Sequence, residues 1–410
     1  MSLSQPPLAF NLARATALER IRPLGVRRIP LKDCLGLVAA EDIVSQDNIP
    51  YAANSAMDGF AVIASDTKDA SSCSPVSLRI VDTIEAGQEP SIFVRPCECA
   101  RIMTGAMMPQ GADAVVRIES TISSGDLVRI AESVKPGSDV RLPGEDIAEG
   151  EVAVTAGTEL RPYEIGLLAA IGAAEPLVRP RPRVAVIATG SELVPVATPL
   201  SPGKVRNSNA AALYAQCLAL GAVPVDFGVV EDTDEATQAA LERAAAECDV
   251  VVTTGAVSMG ERDRVGPAME RLGKIVFWRV AMRPGSPLLF GEVREKPCFC
   301  LPGNPASAML TFELFVRPAL RKMMGHTALF RPVEQARAAE DFSPRGGVTL
   351  FLRAITERRD GELWVRKSGL QGSGMHKPFA RADSLAVVEQ DRPAAEGDYV
   401  PIILLNAPER

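Results

Sequence analysis

The chain has 410 residues, 47% of them hydrophobic and 23% charged, which is too long for a single core and ordinary for a globular protein of about two to four domains. Its 44 basic and 51 acidic residues leave a net charge of −7. That argues against a nucleic-acid binder, which would show a basic domain or stripe, but leaves room for a few clustered arginines to hold an anion.

The start, "MSLSQPPLAFNLARATALERI", has no basic segment followed by a continuous apolar one, so no signal peptide is expected. No apolar run reaches the length of a membrane span; "EIGLLAAIGAA" is too short. A cytoplasmic protein with no membrane partner is the expectation. The residues to about Leu37 read as helix and turn. From Ala39 to Asp146 the pattern becomes short β-rich runs punctuated by Gly and Pro: "VSLRIVDTI", "ECARIMTG", "ADAVVRIE", "DLVRI". This is the pattern of a small β module. "RPYEIGLLAAIG" then predicts a helix with Pro162 near its start, and "AEPLVRPRPR" a proline-rich hinge.

Residues 183–325 alternate between strand and helix patterns. "VAVIAT", "VPVDFGVV", "CDVVVTT" and "KIVFWRVAM" read as four strands. Between them lie "NAAALYAQCLALGA", closed by Gly221, and "DEATQAALERAAAE", capped by Thr233. Alternation of this kind implies a parallel sheet covered on both faces. "NPASAMLTFELFVRPALRKMMG" closes the unit, with Asn304 as N-cap, Pro305 at the first helical position and Gly325 past the end. Pro318 should kink that helix or end its regular part. Residues 331–410 return to strand-like runs, a second small β module. The eight cysteines scatter except for Cys97/Cys99 and Cys298/Cys300. C-x-C on a strand puts both thiols on one face, but His326 and His376 offer no partner spacing, so buried reduced thiols are expected rather than a metal site.

In a parallel α/β sheet the ligand crevice lies past the carboxyl ends of the strands. "TGSEL", "EDTD", "TTGAVSMGERD", "RPGSP" and "LPGNPAS" all fall there. Each alone is compatible with turn chemistry. Their convergence on one edge predicts a crevice where small residues let backbone N–H groups approach an anion and where Asp263 presents a carboxylate to it.

These loops, with "GKVRNSN", "NSAMDGFAV", "IMTGAMMPQGADAVVRIE", "RLPGEDI" and "LPGNPASAMLTF", resemble the molybdopterin molybdenumtransferases, the family that includes the E domain of gephyrin. The resemblance runs from about Pro23 to Leu405 in the family's order. It implies a multidomain α/β chain: a split helical linker domain (residues 1–38 and 147–178), a small β-rich domain (39–146), a central α/β molybdopterin-binding domain with a mostly parallel sheet (179–326) and a C-terminal β domain (327–410), assembled as an elongated homodimer. It implies adenylylated molybdopterin and molybdate as substrates, Mg²⁺ as cofactor, and molybdenum cofactor and AMP as products. A separate molybdopterin adenylyltransferase and apo-molybdoenzymes are the implied partners.

By motif, the resemblance assigns Asp263, Glu192 and Asp232 to the metal. Asp58, Thr104 and Asp146 on the β-module side would face the other subunit's crevice, with Asp58 and Asp146 sharing a catalytic role with Asp263. Taken alone, Asp58 reads as a turn carboxylate in "MDGF" and Asp146 as a helix N-cap. Pro302, Gly303, Asn304, Pro305 and Ser258 would shape the substrate site, and Arg283, Ser286, Arg353 and Ser373 would meet the oxyanion. Magnesium takes oxygen ligands and keeps several waters, so a few carboxylates beside a pyrophosphate suffice. The chain departs from the family's "KPGKP", Gly-Gly and "SVGEAD" at Arg283–Ser286, Gly255–Ala256 and "SMGERD". These changes bear on insertion efficiency and oxyanion selectivity rather than on the fold. A paralogue that binds or scaffolds molybdopterin without inserting the metal is the alternative reading. The retained acids favour the enzyme, since a pure binder needs no metal-coordinating set. A nucleotide-dependent oxidoreductase would need G-x-G-x-x-G after the first strand, which "ATGSELV" does not supply.

Overall fold

Helix α1 (Phe10–Glu19) buries Ala13 and Ala17, and with Ile21 they join a core built largely from the last helices of the chain. Lys322 donates to the Leu18 carbonyl at 2.8 Å and fastens that end of α1. The structure, a computed structural model, describes residues 6–255 and 264–405. Among them, the residues up to Arg27, Gly36–Ala40 and those from Val178 onward form one unit, and Arg28–Leu35 with Glu41–Leu177 form the other. That division is coarser than the four domains expected.

The second of these units is built on six strands: β1 (Gly59–Val62), β2 (Val76–Ile84), β3 (Glu98–Ile102), β4 (Ala114–Arg117), β5 (Thr121–Ser124) and β6 (Leu127–Ile130). They lie in the order β4-β1-β3-β2-β6-β5, antiparallel except for the β2/β3 pair. Alternation buries both faces: Phe60 and Val62 enter one cluster, and Ala61 enters the other. Leu78 and Ile84 have the same parity yet enter opposite clusters. The register shift between Ile80 and Asp82 turns the strand over between them. Helix α2 (Pro162–Ala170) starts on Pro162, as expected, and the Glu164 carboxylate reaches back to the Arg161 N–H at 2.9 Å.

The other unit holds the α/β sheet. Its elements are β7 (Arg183–Thr189), α3 (Ser208–Ala219), β8 (Val223–Val230), α4 (Asp234–Glu247), β9 (Val250–Gly255), α5 (Val265–Leu272), β10 (Gly273–Trp278), a short β11 (Met282–Arg283), β12 (Leu289–Val293) and β13 (Lys296–Pro302). The sheet order is β8-β7-β9-β13-β12-β10. Val184 and Val186 of β7 pack with α3 in one cluster, while Ala185 and Ile187 pack with α4 and α5 in another, so helices cover both faces. The caps of α3 and α4 follow the sequence: Gly221 takes φ +84°, and the Thr233 hydroxyl accepts from the Ala236 N–H at 3.2 Å.

The expected fourth strand is corrected. "KIVFWRVAM" breaks at Arg279, which takes φ +70°, and only its first part, β10, joins this sheet, at the edge. Two further strands, β12 and β13, stand between β10 and β9. Because β12 runs antiparallel to both β13 and β10, β10 points the same way as the parallel strands. Its exit loop "RPGSP" therefore still leaves from their carboxyl edge.

Helix α6 (Pro305–Thr311) widens into a π-helical turn at Phe312–Val316 and continues as α7 (Arg317–Met323), with Pro318 in its first turn. The missing Pro318 N–H is absorbed by that change of pitch rather than by a stop. In the widened turn the buried Glu313 pairs with Arg317 at 3.3 Å and with Arg331. Strands β14 (Val333–Ala338), β15 (Thr349–Arg359), β16 (Glu362–Lys367), β17 (Ser384–Val388) and β18 (Tyr399–Leu404) follow, with a one-turn helix α8 (Lys377–Ala380). The order β15-β16-β14-β18-β17 returns to β15 and closes a ring, with β11 added beside the start of β15.

All eight cysteines are free, and six are buried. The expectation of buried thiols fails for Cys73 and Cys97. Cys97 sits at φ +64° in the turn before β3 and is exposed, so it does not share a strand face with Cys99. Cys298 and Cys300 do share one, with sulfurs 3.9 Å apart. Among the described residues no helix is long and apolar enough to cross a membrane.

Candidate functional site

At the carboxyl edge of the α/β sheet three backbones converge. Gly255 ends β9 at φ +141°, and a Cβ there would stand 2.2 Å from both the carbonyl oxygen and the hydroxyl of Thr189 at the end of β7. Gly303, one residue past β13, packs on the Gly255 backbone, where its Cβ would be 3.4 Å from the Gly255 oxygen. Only glycine permits this approach at 255. Asn209 ties two of these segments: its amide nitrogen donates to Thr254 Oγ1 at 2.9 Å and to the Gly303 carbonyl at 2.8 Å. Thr254 Oγ1 in turn donates to the Pro302 carbonyl at 3.2 Å. Sequence reasoning misses Asn209. It lies in "GKVRNSN", but nothing in the spacing says that its side chain bridges two strand ends.

Glu192 and Asp232 flank one turn. Asp232 Oδ2 accepts the Ser191 N–H at 3.0 Å. The Glu192 carboxylate folds back over Gly190, where a Cβ would meet its oxygens at 2.6 and 2.9 Å. Both side chains are exposed at the crevice. Asp263 and Ser258 lie outside the described residues. Among the described residues no three His, Cys, Asp or Glu side chains are close enough to form a metal cage. These two exposed carboxylates, on the loops after β7 and β8, are hard oxygen donors. They fit a Mg²⁺ ion that keeps several waters and leans on substrate phosphate, and they do not fit a soft metal.

A second cluster of expected residues is formed by β15, the loop 370–376 and the start of α6. Arg353 is fully buried on β15. Its Nη2 donates to the carbonyls of Gly372 at 3.0 Å and Leu370 at 3.4 Å, while Nε and Nη1 have no partner. Burial lowers its pKa, and no carboxylate among the described residues offsets that. A buried guanidinium with two open nitrogens and no counter-charge is costly unless an anion occupies the place they address. Gln371 holds the loop from the other side, taking the Arg353 N–H at 2.9 Å and donating to the Arg353 carbonyl at 3.0 Å.

The Ala306 N–H, in the first turn of α6, donates to the Ser373 carbonyl at 3.0 Å and brings that loop onto the "LPGNP" turn. Asn304 Oδ1 lies 4.0 Å from the Cβ position of Gly374. Asn304 occupies the N-cap position of α6, but its side chain makes no cap hydrogen bond. The capping expected of it is corrected, and the exposed amide remains at the crevice. Pro305 takes the first helical position as expected.

Arg283 is exposed on β11, paired with Leu350 of β15 three residues before Arg353. Gly285 takes φ +101° and packs on Thr311 of α6. The "RPGSP" turn thus sits on the same helix as "LPGNP". Ser286 points inward: its hydroxyl donates to the Val280 carbonyl at 2.8 Å.

The remaining expected residues belong to the other unit. The N–H and the hydroxyl of Thr104 both donate to Asp58 Oδ1, each at 2.7 Å. These bonds, helped by Arg101, hold the Asp58 carboxyl below its ordinary range. The two loops are sewn together by Gly105 N–H to the Ser55 carbonyl at 2.8 Å and Ser55 N–H to the Ala106 carbonyl at 2.9 Å. Asp146 follows the Val140–Arg141 pairing on Asn54–Ser55, and its N–H donates to the Ile49 carbonyl at 2.9 Å. It caps no helix, so that alternative is set aside.

Three family models match the chain: "MoeA N-terminal region (domain I and II)" over residues 8–172, "Probable molybdopterin binding domain" over 185–322 and "MoeA C-terminal region (domain IV)" over 335–405. The molybdopterin molybdenumtransferase 2 of Mycobacterium tuberculosis is 39% identical over 383 residues, 92% of this chain and 93% of that protein. The molybdopterin molybdenumtransferase of Bacillus subtilis is 37% identical over 385 residues, covering 92% and 89%. The crystal structure of the molybdopterin biosynthesis moeA protein of Pyrococcus horikoshii superposes with a TM-score of 0.82 at 32% identity, covering 98% of this chain and all of that one. With crevice, loops and sequence in agreement over nearly its whole length, the chain belongs to the molybdopterin molybdenumtransferase family.

Proposed function

We propose that this chain inserts molybdenum from molybdate into adenylylated molybdopterin in a Mg²⁺-dependent reaction that releases AMP and leaves molybdenum cofactor. The observation that carries the reading is Arg353, fully buried with Nε and Nη1 unpartnered, its Nη2 bound to the loop that the Ala306 N–H of α6 also holds. A tetrahedral dianion is the ligand that a planar, forked cation in a low-dielectric pocket recognises best. The glycine-lined floor at Gly255 and Gly303 admits a flat, anionic ligand against main chain, and Pro302, Asn304 and Pro305 bound its pterin end.

Glu192 and Asp232 hold the cation from the "TGSEL" side, with Asp263 assigned to the same role by motif. When bound, the cation offsets the charge of the pyrophosphate and of the departing AMP. The chain's own part is positioning: Asn209 fixes the floor, Arg353 with Arg283 draws molybdate to the dithiolene, and the carboxylates orient the phosphates. Water then cleaves the phosphoanhydride, and AMP leaves with the adenylyl phosphate.

Asp58, Thr104 and Asp146 are proposed to complete the crevice of a second subunit in a homodimer whose chains each carry the four domains. The expected setting is the cytoplasm, where a separate adenylyltransferase supplies the substrate and apo-molybdoenzymes take the product. The test is to mix the purified chain with adenylylated molybdopterin, Mg²⁺ and molybdate and to follow AMP. Release that needs both Mg²⁺ and molybdate supports the reading. Tight binding of adenylylated molybdopterin with no AMP release would leave the scaffolding paralogue in its place.

A further inference from the structure

The loop 370–376 has a contact that the proposed reaction does not use. His376 Nε2 lies 3.2 Å from the hydroxyl of Ser208, the first residue of α3. His376 is one of two histidines in the chain, and it sits on the β-ring side of the crevice. Ser208 sits on the α/β side, next to Asn209, whose amide bridges Thr254 and Gly303. The loop between β16 and α8 takes two bonds from Arg353 Nη2, at Leu370 and Gly372, and is held at three further places. Gln371 fixes its start to the main chain of Arg353, the Ser373 carbonyl accepts from Ala306, and the His376 ring reaches the start of α3. Glycines at 369, 372 and 374 give this segment little stiffness of its own, so its placement depends on those anchors.

We propose that His376 is a positioning residue: through Ser208 it latches the 370–376 loop across the crevice mouth and so sets the distance between Ser373 and the open nitrogens of Arg353. The inference rests on the oxyanion reading of Arg353. Gly372 and Leu370, the carbonyl partners of Arg353, lie in the latched loop. A slack loop therefore loosens the guanidinium as well as Ser373.

The test uses the full chain with His376→Ala, Ser208→Ala and His376→Asn, the last retaining a side chain able to bond the hydroxyl. Two quantities are read: the molybdate concentration at half-saturation of AMP release, against turnover at saturation, and hydrogen–deuterium exchange of residues 370–376 in the ligand-free protein. Losing one partly exposed hydrogen bond should raise the half-saturating molybdate by about three- to ten-fold in both alanine variants. Turnover should fall much less, the loop amides should exchange faster, and His376→Asn should recover part of the effect. Unchanged molybdate dependence in both alanine variants overturns the latch, whatever the exchange shows. Arg353→Ala serves as the control. If it raises the molybdate requirement while His376→Ala does not, only the latch fails; if Arg353→Ala is itself silent, the oxyanion reading and the latch fall together.

Discussion

Asp58 and Thr104 are joined twice at a single atom. Both the backbone N–H and the hydroxyl of Thr104 donate to Asp58 Oδ1 at 2.7 Å. The ionised carboxylate is the better acceptor, so its pKa is depressed, with the backbone bond the largest cause and the hydroxyl bond the next. A depressed carboxyl contributes stability that is present above its unfolded value and lost as pH falls through the folded one. That window lies below about pH 4. Asp58 should therefore stay ionised throughout the neutral range. In Thr104→Val the hydroxyl is lost and the N–H kept, and an NMR titration of the Asp58 carboxyl should show its pKa rising part of the way to the ordinary value. A titration identical to wild type would mean that the hydroxyl bond is not made in solution.

Arg353 should show a conflict between stability and function. Replacing a buried, half-satisfied cation by an apolar side chain of similar length is often neutral or stabilising. Arg353→Met should thus unfold at or near the wild-type temperature without ligand. Molybdate should raise the melting temperature of the wild type, because a ligand that binds only the folded state stabilises it by mass action, and it should leave Arg353→Met unmoved. A thermal-melt series with and without molybdate checks both. Equal shifts in the two proteins would place the oxyanion elsewhere.

At the "RPGSP" turn the inward hydroxyl of Ser286 sets the terms. Ser286→Lys gives up its bond to Val280, a loss of about 1 kcal/mol, and places a second cation beside Arg283. Half-saturating molybdate should fall at low salt, and the gain should shrink as ionic strength rises. Arg283→Ala should raise it by more than Ser286→Lys lowers it. Steady-state kinetics over a salt series decides. No response to either change would make the loop a turn and nothing more.

The proposed sharing of sites between subunits predicts complementation. Subunits carrying Asp58→Ala and Asp263→Ala, each inactive alone, should recover about a quarter of wild-type sites after statistical exchange, since half the dimers are mixed and each carries one intact site. Activity of the exchanged mixture, with heterodimers confirmed by mass, is the readout. No recovery would confine the site to one chain.

Much of the fold is legible in the order of residues alone. The helix after Thr233 and the one opening on Pro162 begin where cap chemistry puts them, and the small-residue loops collect on one sheet edge because parallel strands all end there. What local pattern hides has physical causes. Strands β12 and β13 join through Arg294 and Glu295, both left-handed at φ +47° and +65°. That geometry usually selects Asn-Gly, so the tight turn carries no signal. The break at Arg279 is masked by the apolar residues around it. Contacts between distant segments, such as Asn209 with Gly303 and His376 with Ser208, leave no trace in local pattern, because tertiary packing alone makes them. Arg353 is assigned to the oxyanion by motif alone, and its two unpartnered nitrogens are visible only in the fold.

The most direct measurement is the ratio of molybdenum held in the product dithiolene to AMP released, in a single turnover of the purified wild-type chain with adenylylated molybdopterin, Mg²⁺ and molybdate. Coupled insertion predicts one metal for each AMP, with both rising together as molybdate is added. AMP released without molybdenum in the product, or substrate retained with neither, would contradict the account.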